Sequence, residues 1–159
     1  MKITVKKGVD IAKIIDEVNQ SALKVGWSEK AKYDDGTPVA MIAAQNEFGN
    51  PAKGIPPRSF MRTSVIEKSD DWKIVTAKLF KMVFSDKQTT AGAMESLGLL
   101  VAGNIREKIA AITTPALSPK TVAARLRGNK KEGVDPVTSA KPLVHTGVML
   151  NSLTSEVVV

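Results

Sequence analysis

The chain contains no cysteine and a single histidine, His145. The lack of cysteine excludes disulfides, thiolate catalysis and cysteine-ligated metals, and it is typical of a reducing compartment. A metal would need an all-oxygen site, but the adjacent carboxylates at 34–35 and 70–71 lack ligand spacing. A Ser-His-Asp mechanism would have to use His145, and no Gly-x-Ser-x-Gly turn accompanies it. We therefore predict no catalytic site, no metal and no cofactor.

Long apolar runs are also missing. The longest, residues 97–102, is interrupted by Gly98 and is far shorter than the ~18 residues that cross a bilayer. Residues 1–7 alternate polar and apolar side chains and lack the apolar segment of a signal peptide. These features predict a cytoplasmic product without a membrane partner.

Aromatic residues make up only 4 % of the chain, although its net charge is +7 and its isoelectric point is near 9.7. Few aromatic rings leave little material for stacking on nucleic-acid bases. The basic residues are spread along the chain and are dense only at Lys120, Arg125, Arg127, Lys130 and Lys131. This pattern favours attraction to an acidic partner surface, or non-specific proximity to DNA, over specific nucleic-acid recognition.

The hydrophobic pattern predicts an α+β fold in one domain spanning residues 1–159. Alternation predicts strands at 2–7 and 21–27, and β-branched residues predict another at 154–159. Apolar residues at helical spacing predict two long helices, one from Phe60 onward and one over residues 88–112. We expect a small, mostly antiparallel sheet packed by these helices, with mobile loops. Ala91, Gly98 and Ala102 lie along one edge of the second long helix and would let another backbone come close. Gly98 and Gly103 are unfavourable inside a helix, which predicts a packing reason for them.

Short helices are predicted from their end signals. Asp10 is a suitable N-cap, with Ile11, Ile14, Ile15 and Val18 on one helix face. Thr37-Pro38 opens a helix that Gly49 ends, and Ser59 can cap the long helix that follows. Ser118-Pro119 opens another, ending near Gly128, and Thr146-Gly147 opens the last.

Two polar segments, residues 28–37 and 127–141, are rich in charge and in turn residues. Neither can bury enough apolar surface to order itself, so we expect both to be mobile and to contact partners. The candidate contact residues are Lys32, Tyr33, Asp34, Asp35, Arg127, Lys130 and Lys131.

A segment with three prolines joins the predicted helix ending at Gly49 to the long helix. Prolines at this density prevent regular helix, so the segment should act as a structural elbow. Its candidate residues are Glu47, Phe48, Gly49, Pro56, Pro57, Arg58 and Phe60. Either Glu47 and Arg58 are both solvated, or they pair and hold the turn against the helix end. We expect Phe48 and Phe60 to be buried anchors and Gly49 to be left-handed.

The segments Glu47-Phe48-Gly49, Ile55-Pro56-Pro57-Arg58-Ser59-Phe60 and Pro142-Leu143-Val144-His145-Thr146-Gly147, the last followed by Leu150 and Leu153, carry a family resemblance. They resemble the tail-completion and head–tail joining proteins of long-tailed bacteriophages. Family members typically have a Glu-Phe-Gly turn, a proline-rich entry to the next helix and a Pro-Leu-x-x-Thr-Gly block. His145 departs from the aspartate that often precedes Thr-Gly in the family.

The resemblance implies a structural virion protein at the head–tail junction or the tail end. Its partners would be copies of itself in a ring, the connector or head-completion protein, and tail terminator or tail tube proteins. Two alternatives stay open: a basic nucleic-acid-binding packaging or regulatory factor, and a toxin- or hydrolase-like enzyme with His145 as its base.

Overall fold

The computed structural model describes residues 5–132 and 140–158, with the side chains of 128–132 excepted. The chain divides into two compact units. Unit 1 comprises Met1–Gly26, Val65–Asn104 and Thr154–Val159, and unit 2 comprises Trp27–Ser64 and Ile105–Leu153. The expectation of one domain stays a prediction.

The structure confirms the α+β class, with two long helices and a two-stranded antiparallel sheet among the described residues. In chain order the elements are α1 (Ile11–Gln20), β1 (Ala22–Gly26), α2 (Val39–Phe48), a 3₁₀ helix (Pro51–Lys53), α3 (Met61–Phe84), α4 (Thr90–Ala111), α5 (Pro119–Glu132), α6 (Val148–Asn151) and β2 (Thr154–Val158).

In unit 1, β1 pairs with β2, so that Ala22 lies opposite Val158. At Gly98 of α4 an added Cβ would lie 2.8 Å from Leu23 Cδ1 and from Ser155 Cβ, so side chains of the two strands, not the predicted backbone, come close there. Glycine is therefore required where α4 meets the sheet. At Gly103 an added Cβ would meet nothing within 4 Å, so that position has no comparable packing reason.

The core of unit 1 contains Ile14, Val83 and Ala93, with partly buried Val9, Leu79, Phe80 and Phe84 packed against it. Asp10 caps α1 as predicted, since its side chain accepts from Lys13 N at 3.0 Å. The predicted apolar face of α1 is only partly buried, because Ile11 and Ile15 are exposed.

The predicted N-terminal strand is wrong for its described residues, Val5, Lys6 and Lys7, which lie in no strand. Lys6 N instead donates to Phe84 O at the end of α3. This hydrogen bond to the end of a helix satisfies the backbone N–H of Lys6 without a neighbouring strand. Residues 1–4 lie outside the described part of the chain.

The core of unit 2 joins α2, α4 and the region around α6. Its buried apolar residues are Val39, Ala43, Phe60, Ile105, Ile109, Leu143, Met149 and Leu153. The edge of Trp27 packs on Phe60 with the ring centroids 5.9 Å apart, and Trp27 Nε1 donates to Met149 O at 2.7 Å. Arg106 donates to the carbonyls of Leu150 and Leu153 and so satisfies the end of α6.

Residues 28–37 form a hairpin-like turn. Lys32 and Pro38 make an isolated antiparallel bridge, and Tyr33 N donates to Thr37 O at 2.9 Å. The start of α2 differs by one position from the prediction: Pro38 is the N-cap itself, without a side-chain cap.

Helix α5 begins as predicted, with Ser118 Oγ accepting from Thr121 N at 3.2 Å. Its predicted end near Gly128 is wrong, because the helix continues to Glu132. Residues 127–132, which we expected to belong to a mobile segment over 127–141, are therefore part of this helix. One glycine inside a helix costs only about 1 kcal/mol, which the surrounding good helix formers tolerate. The rest of that prediction falls largely on 133–139, outside the described residues.

Candidate functional site

The elbow between α2 and α3 is organised around the carboxylate of Glu47, which is 4 % exposed. Glu47 Oε2 accepts from Phe60 N at 2.7 Å and from Met61 N at 2.9 Å. Oε1 accepts from Ser59 Oγ at 2.7 Å and from Arg62 N at 3.2 Å. The last residue but one of α2 therefore caps the N-terminus of α3, in place of the expected Ser59 cap. Negative charge at this position is also favoured by the helix dipole.

The hydrogen bonds keep Glu47 ionised. Burial by itself raises the pKa of Glu47, but bonds from Ser59, Arg62 and the α3 backbone outweigh it and lower the pKa to about 2. The hydrogen-bond acceptor positions of this carboxylate are already used. Because its pKa is low, the carboxylate is also a weak base at neutral pH.

Arg62 completes the elbow, and sequence reasoning missed it as a site residue. Its Nε lies 2.9 Å from Glu47 Oε1, and its Nη2 donates to Glu47 O at 3.1 Å. Its guanidinium also lies 4.9 Å from the ring centroid of Phe48. The available signal was its position in the first turn of the predicted long helix, close to any group that caps that helix.

Both alternatives for Glu47 and Arg58 are wrong. Neither residue is solvated, since each is 4 % exposed, and they do not pair. Arg58 Nε donates to Pro115 O at 2.7 Å, and Nη2 donates to Ala116 O at 3.1 Å. The loop after α4 supplies these carbonyls, so the partner of Arg58 could not be read from the local sequence.

The two predicted anchors differ. Phe60 is fully buried, which confirms the prediction, but Phe48 is 66 % exposed, which contradicts it. The position of Phe48 at the last residue of α2, next to the buried Glu47, turns its ring toward the surface. The sequence could not distinguish the buried ring from the exposed one, because both lie beside turn residues.

Gly49 has a positive φ, as predicted, but its φ of 79° and ψ of 167° lie outside the left-handed helical region. Only glycine commonly adopts this conformation. An added Cβ would lie 3.0 Å from both N and Cδ of Pro57 and 3.1 Å from Ile55 O. Backbone conformation and close approach thus both require glycine, and Pro57 forms one wall of the turn.

A cleft of about 740 Å³ lies in unit 2 beside the elbow. It is lined by Asn46, Ile55, Pro56 and Arg58 from the elbow region and by Pro142, Leu143, His145, Thr146 and Gly147 from the C-terminal motif. Parts of the proline-rich segment and of the C-terminal motif therefore line the same cavity, although they are far apart along the chain, whereas Glu47, Phe48 and Gly49 are not among its lining residues.

The charged and titratable groups of this cleft are mostly basic: Lys53, Arg58, Arg125 and His145, against Asp35. Burial, followed by the positive charge of Arg58, lowers the pKa of Arg125. Arg125 Nη1 donates to Lys141 O at 2.8 Å. Lys53 and Arg125 were not among the site residues predicted from the sequence, because neither lies in the segments that carry the family resemblance.

The predicted partner-contact residues do not form one site. Tyr33 and Asp35 line the cleft, Lys32 and Asp34 are exposed on the hairpin-like turn, and Arg127 is exposed on α5. Lys130 and Lys131 lie in α5, but their side chains are outside the part that the structure describes. The N–H of Thr37 donates to Asp35 and lowers its pKa, whereas burial raises the pKa of Tyr33.

Residues 5–132 and 140–158 contain no group of three or more His, Asp or Glu side chains placed to hold a metal ion. No described helix is long and apolar enough to cross a membrane.

Comparisons with protein-family models, with curated proteins and with solved structures each found no match to this chain.

Proposed function

We propose that the protein is a structural subunit of a bacteriophage virion, located at the head–tail junction or the tail end. It would form a ring that completes the tail and joins it to the head. The observation that carries this proposal is that residues of the proline-rich segment and of the C-terminal motif, both parts of the resemblance, line one cleft of unit 2. Two short sequence matches that lie together in the folded chain support a resemblance better than two matches that lie apart.

An exposed apolar face on α2 also supports a role in assembly. Met41 and Phe48 are 45 % and 66 % exposed, and they lie two helical turns apart on the same side of α2. Arg62 covers part of the Phe48 ring. Aromatic and arginine side chains contribute strongly to protein–protein interfaces, where burial of the ring is completed by a partner.

The elbow chemistry supports a structural role over catalysis. Glu47 is ionised and accepts five hydrogen bonds within 3.2 Å, including one from Arg62 Nε. A general base needs an acceptor position for a substrate proton and a pKa near the working pH. Glu47 has neither property, so its arrangement serves the geometry of the elbow.

The proposal is tested by electron microscopy of particles assembled without this protein. Separate filled heads and finished tails are expected, and restored supply of the protein should join them. Complete infectious particles in its absence would contradict the proposal. Normal particles together with strongly salt-dependent DNA retention by the purified protein would instead favour the packaging or regulatory alternative.

The assembly surface has a matched test in the same particles. Phe48→Ser should prevent joining while leaving the fold intact, because the side chain is exposed. Leu99→Ser is the control, since Leu99 is 67 % exposed on α4. Normal joining by the Phe48→Ser protein would remove the α2 face from the proposed interface.

A further inference from the structure

We propose that the unit 2 cleft binds an acidic peptide segment of a partner protein, with the carboxylate of one Asp or Glu side chain received by Arg58. This goes beyond the structural role proposed above, since it assigns a ligand class to a cavity and can be tested on the isolated protein.

The first observation is the incomplete pairing of Arg58. Its guanidinium is buried, yet the residues that the structure describes provide it with two neutral carbonyls and no carboxylate. Buried charges in proteins are normally paired with an opposite charge. Nε and Nη2 are occupied by these carbonyls, whereas Nη1 donates to no described residue. The group borders the cleft, so its unused end can donate to a carboxylate there.

The second observation is the charge and the character of the walls. Lys53 lies at the same cleft and adds positive charge, and Arg125 adds more. Beside these cations and several polar residues, the lining includes six apolar side chains: Ile42, Ile55, Pro56, Leu117, Leu143 and Met149. A cavity of this size with apolar walls and few charged groups fits several residues of a peptide. Its charge is complementary to an acidic side chain flanked by apolar ones.

The same lining disfavours a nucleic acid. Asp35 places negative charge at the cleft, and Tyr33 is the one Phe, Tyr or Trp side chain among its lining residues. A phosphate backbone requires a continuous basic track, and base stacking requires aromatic platforms. An acidic side chain needs one cationic position with apolar surroundings, which is what the cleft provides.

The experiment is a titration of the full chain, followed by ¹H–¹⁵N NMR. The probe is the acetylated and amidated peptide Leu-Ala-Glu-Ala-Leu, and the control is its Gln counterpart. The glutamate peptide should shift the amide signals of the cleft residues Gly54 and Thr121. Its affinity should exceed that of the Gln peptide roughly tenfold, the equivalent of one charge-assisted hydrogen bond.

Variants connect binding to the cleft. Arg58→Lys keeps the charge but loses the planar donor, so affinity for the glutamate peptide should fall roughly tenfold. Lys53→Gln, at an exposed position, should weaken binding about threefold and gives a test even if Arg58→Lys does not fold. Lys81→Gln on α3 is exposed, lies in unit 1 and should have no effect.

Three results would overturn the proposal: equal affinity for both peptides, no shift of Gly54 or Thr121 at millimolar peptide, or tighter binding of a short DNA duplex to the same amides. None of these depends on particle assembly, so failure here is distinguishable from failure of the virion proposal.

Discussion

The elbow and the neighbouring cleft each contain one buried charge, but the two charges are satisfied in opposite ways. Glu47 accepts from the backbone of α3, from Ser59 and from the cation of Arg62. Arg58 donates to two neutral carbonyls from a distant loop. A charge with all of its acceptor positions used stabilises the fold. A charge with an unused donor beside a cavity is available to a ligand as well.

Phe60→Ala should have the largest effect, because Phe60 is fully buried beside the Glu47 cap. We expect a loss of about 3–5 kcal/mol in the free energy of unfolding. Phe48→Ala is the control, with less than about 1 kcal/mol, because that ring is 66 % exposed. Denaturant unfolding measures both. Equal losses would show that the elbow does not separate a buried anchor from a surface ring.

Glu47→Gln should come next, with a loss of about 2–4 kcal/mol at neutral pH. The amide retains the shape of the side chain but removes its charge and replaces one acceptor by a donor facing backbone N–H groups. Glu95→Gln on α4 is the exposed control and should change stability by less than about 0.5 kcal/mol. An unchanged free energy of unfolding in Glu47→Gln would show that the charge of Glu47 does not stabilise the fold.

The pH dependence sharpens the comparison between the two charges. Because folding lowers the pKa of Glu47 from 4.5 to about 2, its contribution is present above pH 4.5 and is lost as the pH falls toward 2. The amount is about 3 kcal/mol. Unfolding free energies measured between pH 6 and pH 2 should therefore fall more steeply for the natural protein than for Glu47→Gln. Parallel curves would contradict the assignment.

Gly49→Ala should cost about 1–3 kcal/mol, since it combines a glycine-only conformation with close contacts to Pro57. Gly36→Ala is a control with a similar positive φ, +81° against +79° at Gly49, but an added Cβ there meets nothing within 4 Å. Thermal unfolding compares the two variants. An equal loss in both would assign the whole effect to backbone conformation.

Arg58→Met should have the smallest effect, about 1–2 kcal/mol, because it leaves two carbonyls without a donor but introduces no unpaired charge. Its stability should depend on pH between 6 and 2 in the same way as that of the natural protein. A loss larger than that of Glu47→Gln, measured in the same denaturant series, would mean that Arg58 is the main structural charge of unit 2.

Several predictions that depended only on neighbouring residues were accurate, although the strand at 2–7 and the helix end near Gly128 were not. The Asp10 cap, the strand at 21–27 and the start of α5 after Ser118 each involve groups only a few residues apart. Predictions that depended on what a side chain meets were less accurate. Phe48 was expected inside and lies outside, and Glu47 and Arg58 were matched to each other although both have other partners.

The sequence by itself determined the α+β class, the two long helices, the positive φ of Gly49 and a proline-rich elbow before α3. These follow from periodicity, from backbone conformation and from missing donors, which are properties of short stretches of chain. Only the tertiary structure decided that Glu47 caps α3, that Arg58 reaches the carbonyls of Pro115 and Ala116, and that parts of the proline-rich segment and of the C-terminal motif line one cleft. Such pairings depend on the path of the whole chain, because each joins groups that only folding brings within hydrogen-bonding distance.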